Sequence, residues 1–148
     1  MEQMEQPGEA CLSLCRGKFL ELLKEGRWEY VRRVNASGAV MIVAVTKEGE
    51  LLLVEEYRVP LHARTVGLPA GISGDEGEES TLQSARRELE EETGYRADSW
   101  TYLFAGPSSP GLTTEMVSFY LAEDLHRISA GGGVAHENIT CLLYTSPS

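Results

Sequence analysis

Apolar positions are almost continuous between residues 38 and 57, where GAVMIVAVT (38–46) and ELLLVEEY (50–57) flank the polar turn Lys47-Glu48-Gly49. Two β-rich runs joined by a short Gly-containing turn predict an antiparallel hairpin. Their weak alternation predicts burial on both faces, as in a sheet sandwiched between helices. Past residue 80 the period changes. Leu82, Ala85 and Leu89 recur at helical spacing and form one narrow apolar stripe. Ser80 and Gln83 have the spacing of a capping box, and Gly94 suits the left-handed position beyond a last helical turn, so the helix ends are readable. Further β-rich runs at 65–70, 101–105 and 116–122 predict strands, the last two separated by the turn-rich GPSSPGLTTE (106–115). Residues 1–16 are polar and predicted to be loose, and a short strand or turn at 19–23 leads to Trp28. There is no internal repeat, and the pattern is that of one mixed α/β domain.

The polar side of the predicted helix is unusual. Glu88, Glu91 and Glu92 fall together on a face adjoining the apolar stripe. Like charges three and four positions apart repel by a few tenths of a kcal/mol per pair, roughly, so something must offset them. Arg87 lies one turn before Glu91 and can steady it, but one cation does not neutralise three anions. A hard, oxygen-seeking cation such as Mg²⁺ or Mn²⁺ does. On charge pattern alone, an acidic solvated helix face is an equal reading.

Residue order separates the two. Arg87, Glu88, Leu89, Glu91, Glu92, Gly94 and Tyr95 match, position for position, the second half of the Nudix box, which the segment resembles: Gly, five residues, Glu, seven residues, then Arg-Glu-U-x-Glu-Glu-x-Gly-U with U bulky and apolar. The loop half departs from that pattern. Seven residues separate Glu79 from Arg87, but five more lead back to Ser73, with Gly71 and Gly74 on either side. A longer loop accounts for this and leaves open whether Glu78 or Glu79 plays the first glutamate of the box. The resemblance implies a Nudix α/β/α sandwich with a mixed sheet over about residues 28–140, with residues 1–27 as an N-terminal segment carrying a possible dimerisation strand.

Three short stretches resemble the ADP-ribose pyrophosphatase branch of that family. They are Glu56-Tyr57-Arg58, Leu68-Pro69-Ala70-Gly71, and Ser109-Pro110-Gly111, in which Pro110 stands fifteen positions beyond Tyr95 and is followed by Glu115. The implied reaction is metal-dependent hydrolysis of ADP-ribose to AMP and ribose 5-phosphate. The alternatives are another nucleoside diphosphate sugar, or a sensing module that binds without cleaving. Sensors tend to lose carboxylates of the box, and here Glu88, Glu91 and Glu92 are all present. The resemblance implies Glu88 and Glu92 as metal ligands, Glu91 as a third, and the backbone carbonyl of Ala70 to complete the shell. Arg87 orients Glu91 rather than touching substrate. The resemblance implies a general base on a later mobile loop, where AGGGVAHEN (130–138) offers Glu137 after three glycines that permit closure; Glu115 is the second choice. For substrate, the resemblance implies a purine-stacking Trp28, an amine acceptor at Glu29, a base or phosphate contact at Arg33, a phosphate fork at Arg58, and the Pro110-Gly111 turn. Related pyrophosphatases pair through N-terminal strands, so a homodimer is expected.

Whole-chain properties bound this reading. The length of 148 residues suits one domain with one sizeable core. A net charge of −10 argues against nucleic acid or an anionic membrane as partner, but not against a small anion whose charge is locally offset. No apolar run approaches a membrane span, and MEQMEQPGEA lacks the basic-then-apolar design of a secretory signal, so a cytoplasmic protein is expected. Cys11, Cys15 and Cys141 form neither a paired framework nor, with His62, His126 and His136, a zinc pattern. The last eight residues, CLLYTSPS (141–148), resemble an in-frame translation of a sequencing-adapter end. On that reading they are excluded from the fold, and the natural chain continues past Thr140 into a lost strand and closing helix.

Overall fold

Every second residue of the first long apolar run, Val40, Ile42 and Ala44, is fully buried, and Leu52 and Val54 of the next run follow the same rule. Alternation, not two-faced burial, therefore positions these strands. The computed structural model describes residues 10–74 and 77–145. In chain order its strands are β1 (Leu12–Arg16), β2 (Leu20–Glu25), β3 (Trp28–Arg33), β4 (Gly38–Ala44), β5 (Leu51–Arg58), β6 (Ala63–Gly67), β7 (Ala70–Ser73), β8 (Tyr95–Pro107), β9 (Met116–Arg127) and β10 (Thr140–Tyr144). The helix α1 (Thr81–Thr93) lies between β7 and β8.

The strands form three sheets, ordered β1-β2-β3, β10-β5-β6 and β7-β4-β9-β8. The last is mixed: β4 runs parallel to β9 and antiparallel to β7. Helix α1 lies against β7, β4 and β8 and also touches β5 and β10 of the neighbouring sheet. Its Ala85 and Leu89 join Val40, Ile42, Ala44, Leu52, Tyr120 and Ala122 in one core, with Leu82 at the margin. The predicted stripe is thus the face that packs.

The helix ends also fall where expected. Ser80 Oγ accepts from the Gln83 backbone N–H at 3.2 Å, and Gln83 Oε1 accepts from the Ser80 N–H at 2.9 Å. Gly94 closes the helix with φ of 75°.

Three further expectations need correction. The turn after residue 46 exists, with Thr46 N–H donating to Glu50 at 2.8 Å, but only the bridge Val45↔Leu51 joins the flanking strands. Strands β4 and β5 are each the interior strand of a different sheet, hydrogen-bonded on both edges by other partners, so no edge remains for a hairpin ladder. The single strand predicted at 65–70 is two strands in two sheets, β6 and β7. Pro69, which has no N–H to donate, stands at the break, and its carbonyl accepts from Ile42 at 2.9 Å. Leu12–Arg16, predicted to be loose, is β1, laddered on β2; residues 1–9 lie outside the described residues. The β2–β3 ladder also crosses position 27, so part of the first 27 residues shares a sheet with Trp28. Finally, Thr140–Tyr144 pairs with β5 as β10. A backbone ladder forms for any sequence able to extend, so this pairing bears on the conformation of the tail and not on its origin.

Removing the Leu89 side chain leaves a hole in the shared core, and Leu89→Ala is expected to lower unfolding free energy by roughly 2–5 kcal/mol. Ser80→Ala removes only the cap and is expected to lose about 1 kcal/mol. Urea unfolding of the two variants checks the order; equal losses would contradict this packing.

Candidate active site

The second half of α1 carries acid into the protein interior. Glu92 is 5% exposed, and its Oε2 accepts from the Ala70 backbone N–H at 3.1 Å. Glu88, one turn earlier, meets Arg87 Nη1 at 3.0 Å. Burial pushes the Glu88 carboxyl up to about 7; the Arg87 charge opposes this, and Glu91 and Glu137 add to it. Burial pushes Glu92 up to about 8, opposed by the Ala70 hydrogen bond and reinforced by Glu88, Glu56 and Glu137. Carboxylates held this way lack enough positive charge around them.

The neighbouring strand makes room for them. A Cβ at Gly71 would lie 2.0 Å from the Glu88 Cδ. Only glycine lets β7 pass so close to this carboxylate.

Arg87 works beneath the cleft. It reaches Glu79 at 3.3 Å, Glu91 at 3.2 Å and the Ile72 carbonyl at 3.5 Å. Ser84 Oγ sits 3.0 Å from both Glu79 Oε2 and Ser73 Oγ. Burial alone would raise the Glu79 carboxyl, but the Arg87 and Ser84 hydrogen bonds outweigh it and hold Glu79 below its usual range. Glu79, and not the exposed Glu78, is the glutamate that the helix-start network uses.

Glu88, Glu92 and Ala70 line a cleft of about 410 Å³ whose other walls include Arg33, Glu56, Arg58, Glu115 and Glu137. Arg58 pairs with Glu56, and Arg33 with Glu115. The sequence-selected residues Arg33, Arg58, Ala70, Glu88, Glu92, Glu115 and Glu137 are therefore brought together. Glu91 is not among the lining residues and is tied to Arg87 beside the cleft. Trp28, 63% exposed, and the exposed Glu29 stand on β3 without lining the cleft. Pro110 and Gly111 form an exposed turn that does not line it either.

The Glu137 loop departs from expectation in kind. Its glycines, read as hinges, instead dock the loop: Gly132 N–H donates to the Glu92 carbonyl at 3.0 Å and Gly133 N–H to the Glu91 carbonyl at 2.8 Å. Gly131, Gly132 and Gly133 all have positive φ. These donors satisfy carbonyls that the last helical turn leaves without intrahelical partners.

Sequence reading missed Glu56 as a site residue. The signal was there: on β5, Glu56 and Arg58 continue the phase of the buried Leu52 and Val54, so charge stands where alternation predicts core.

The donor set fits a hard divalent cation. Among the described residues no three carboxylate, imidazole or thiol groups converge tightly enough to enclose an ion alone. Two carboxylates plus backbone oxygen and water are what Mg²⁺ ordinarily accepts. From about pH 4.5 up to about 7 for Glu88 and about 8 for Glu92, the folded carboxyls hold protons that the unfolded chain has released. Metal-free stability from this pair therefore falls as pH rises through that window. A cation competes with those protons, so its stabilising effect grows toward the alkaline end. Melting in EDTA should show a steeper decline with pH for the wild type than for the Glu88→Gln/Glu92→Gln double variant, with Mg²⁺ restoring most at about pH 8. Parallel slopes for the two proteins would contradict the assignment.

Comparison with known proteins places this geometry. The NUDIX domain model matches residues 36–138. An ADP-ribose pyrophosphatase of Bacillus subtilis (strain 168) is 38% identical over 131 residues, covering 84% of this chain and 70% of that protein. A methanol dehydrogenase activator of Bacillus methanolicus is 36% identical over 110 residues, covering 74% of this chain and 58% of that protein. Among solved structures, a crystal structure of an ADP compounds hydrolase superposes with a TM-score of 0.76 at 25% identity, over 97% of this chain and 80% of the other. The chain belongs to the NUDIX domain family.

Proposed function

We propose that this chain hydrolyses the pyrophosphate bond of ADP-ribose to AMP and ribose 5-phosphate, with Mg²⁺ held by Glu88 and Glu92. The observation that carries the reading is one cleft lined both by Glu88 and Glu92, whose carboxyls burial pushes up, and by the guanidinium groups of Arg33 and Arg58. A diphosphate bridged by a cation is the ligand that matches both sets of groups. A similar protein named ADP-ribose pyrophosphatase, covering 84% of this chain, favours that sugar nucleotide over others.

A diphosphate resists water because its own oxygens shield phosphorus, and a bound divalent cation supplies the positive charge that relieves this. Arg33 and Arg58 hold and orient the anion. Glu137, docked beside the acidic wall, takes the proton from the attacking water as its oxygen bonds to phosphorus. The bridging P–O bond breaks and its oxygen departs with the other phosphate. Arg87 keeps Glu88 and Glu91 in place and Glu79 keeps Arg87 in place, so their contribution is positional.

The second reading, a different nucleoside diphosphate sugar, uses the same acidic wall and differs only where base and sugar are gripped. Homodimerisation is supported by the exposed Leu12, Leu14 and Trp28 of the first sheet and Phe19 of the bend between β1 and β2, apolar side chains of the kind that association covers. A partner's Trp28 or Glu29 would then approach the cleft. Among the described residues no helix is long and apolar enough to cross a membrane, and we place the protein in the cytoplasm.

Mg²⁺ and ADP-ribose should yield AMP and ribose 5-phosphate in equal amounts by ion-exchange chromatography. Glu92→Gln should lower kcat by about 10²-fold or more without loss of metal-free stability, because glutamine keeps an oxygen to accept from Ala70 and never ionises in the buried site. Glu137→Gln should lower kcat by roughly 10²–10⁴-fold with KM little changed. Binding of ADP-ribose without cleavage of it or of any nucleoside diphosphate sugar, with Mg²⁺ or Mn²⁺, would make the chain a sensor and overturn the proposal.

A further inference from the structure

Arg33 reaches the cleft from a sheet that shares no ladder with the other two. Among the described residues, the backbone hydrogen bonds that tie β3 to the fold outside its own sheet go to one segment, residues 108–115. Val31 N–H donates to the Leu112 carbonyl at 2.8 Å, and Thr114 N–H donates to the Val31 carbonyl at 3.1 Å. These bonds set Val31 opposite Thr113 in a parallel bridge. Two residues further along both segments the same register sets Arg33 opposite Glu115, on the side of the extended backbone shared with Val31 and Thr113.

The two side chains meet there, Arg33 Nε on Glu115 Oε2, at 34% and 15% exposure. Glu115 is itself fixed from both directions. Its N–H donates to Thr113 Oγ1 at 3.1 Å, and its carbonyl accepts from Ser108 N–H at 3.1 Å. A rigid carboxylate thus holds a long, flexible cation. The contact uses Nε, and a guanidinium has two more nitrogens with which to grip a phosphate or a base.

We propose that Glu115 is a positioning residue: it fixes Arg33 at the cleft, so that Ser108 and Glu115, the two ends of the strap 108–115, and Arg33 of β3 together form a binding contact in the cleft that the acidic helix also lines. This rests on the hydrolase reading above and assigns Glu115 a role other than proton acceptor. One of the two Glu115 carboxylate oxygens, Oε2, is engaged by Arg33.

The test is a double-variant cycle on ADP-ribose with Mg²⁺, using Glu115→Gln, Arg33→Ala, the combined variant and Glu137→Gln, each checked for a cooperative melt. Glu115→Gln is expected to raise KM about tenfold with kcat within about twofold, and to add less than about twofold once Arg33 is alanine. A Glu115→Gln protein that loses kcat as Glu137→Gln does, with KM unchanged, would make Glu115 the base and overturn the proposal. An effect of Glu115→Gln that persists in full in the Arg33→Ala background would overturn it too. If Glu115→Gln does not melt cooperatively, Glu115→Asp carries the same test, because it keeps the charge and withdraws it from Nε; the same split in KM is expected, and a fall in kcat alone again overturns. Should the wild type release no AMP, the hydrolase reading fails by itself. Calorimetric binding of ADP-ribose then reports the strap separately: equal weakening in Glu115→Gln and Arg33→Ala supports it, and unchanged affinity in Glu115→Gln overturns it.

Discussion

Two carboxylates one turn apart on α1, Glu92 buried and Glu88 half-buried, set the terms for the rest of this site. Glu88 and Glu92 are raised to about 7 and about 8 because the fold withdraws water from them faster than it supplies positive charge. Packing alone would favour apolar side chains there. The surrounding residues accommodate the acid rather than remove it. Gly71 gives up a side chain so that β7 can pass Glu88, Ala70 donates its N–H to Glu92, and Arg87 spreads one guanidinium over Glu79, Glu88 and Glu91. Such an arrangement is stable only marginally without a cation and favourable with one.

The cleft collects its walls from elements that the sequence keeps far apart. The β5 phase that buries Leu52 and Val54 continues into Glu56 and Arg58, so one strand runs from core to cleft without changing face. The loop bearing Glu137 is bound by its glycine N–H groups to the last turn of the same helix that carries the acidic wall. Arg33 arrives from a third direction and is held by the strap. Position within the cleft therefore rests on backbone hydrogen bonds as much as on side-chain packing.

How much of this was legible follows from how local each signal is. The helix, its cap, its closing glycine and its stripe depend on residues within a few turns of one another, and all were readable. The partners of β4 and β5 were not, because apolar density says that a strand is buried and not which strand lies beside it. The split at Pro69 was visible in principle, since proline interrupts donation to a ladder. Glu91 was grouped with Glu88 and Glu92 because helical spacing alone makes them neighbours; the tie to Arg87 draws it beside the cleft instead. The placement of Trp28 and Glu29 depends on what meets an exposed sheet, which periodicity does not encode. Glu56 receives no site role from the sequence because Glu56-Tyr57-Arg58 reads as a short signature and not as part of an alternation.

The central claim is that the acidic turn of α1 is completed by a cation. Mn²⁺ soaked into crystals of the protein and located by its anomalous scattering tests this most directly. The account predicts a peak between the Glu88 and Glu92 carboxylates, beside Ala70 and Gly71, that disappears in Glu88→Gln/Glu92→Gln crystals. Peaks only elsewhere on the surface, or none at millimolar Mn²⁺ near pH 8, would contradict it.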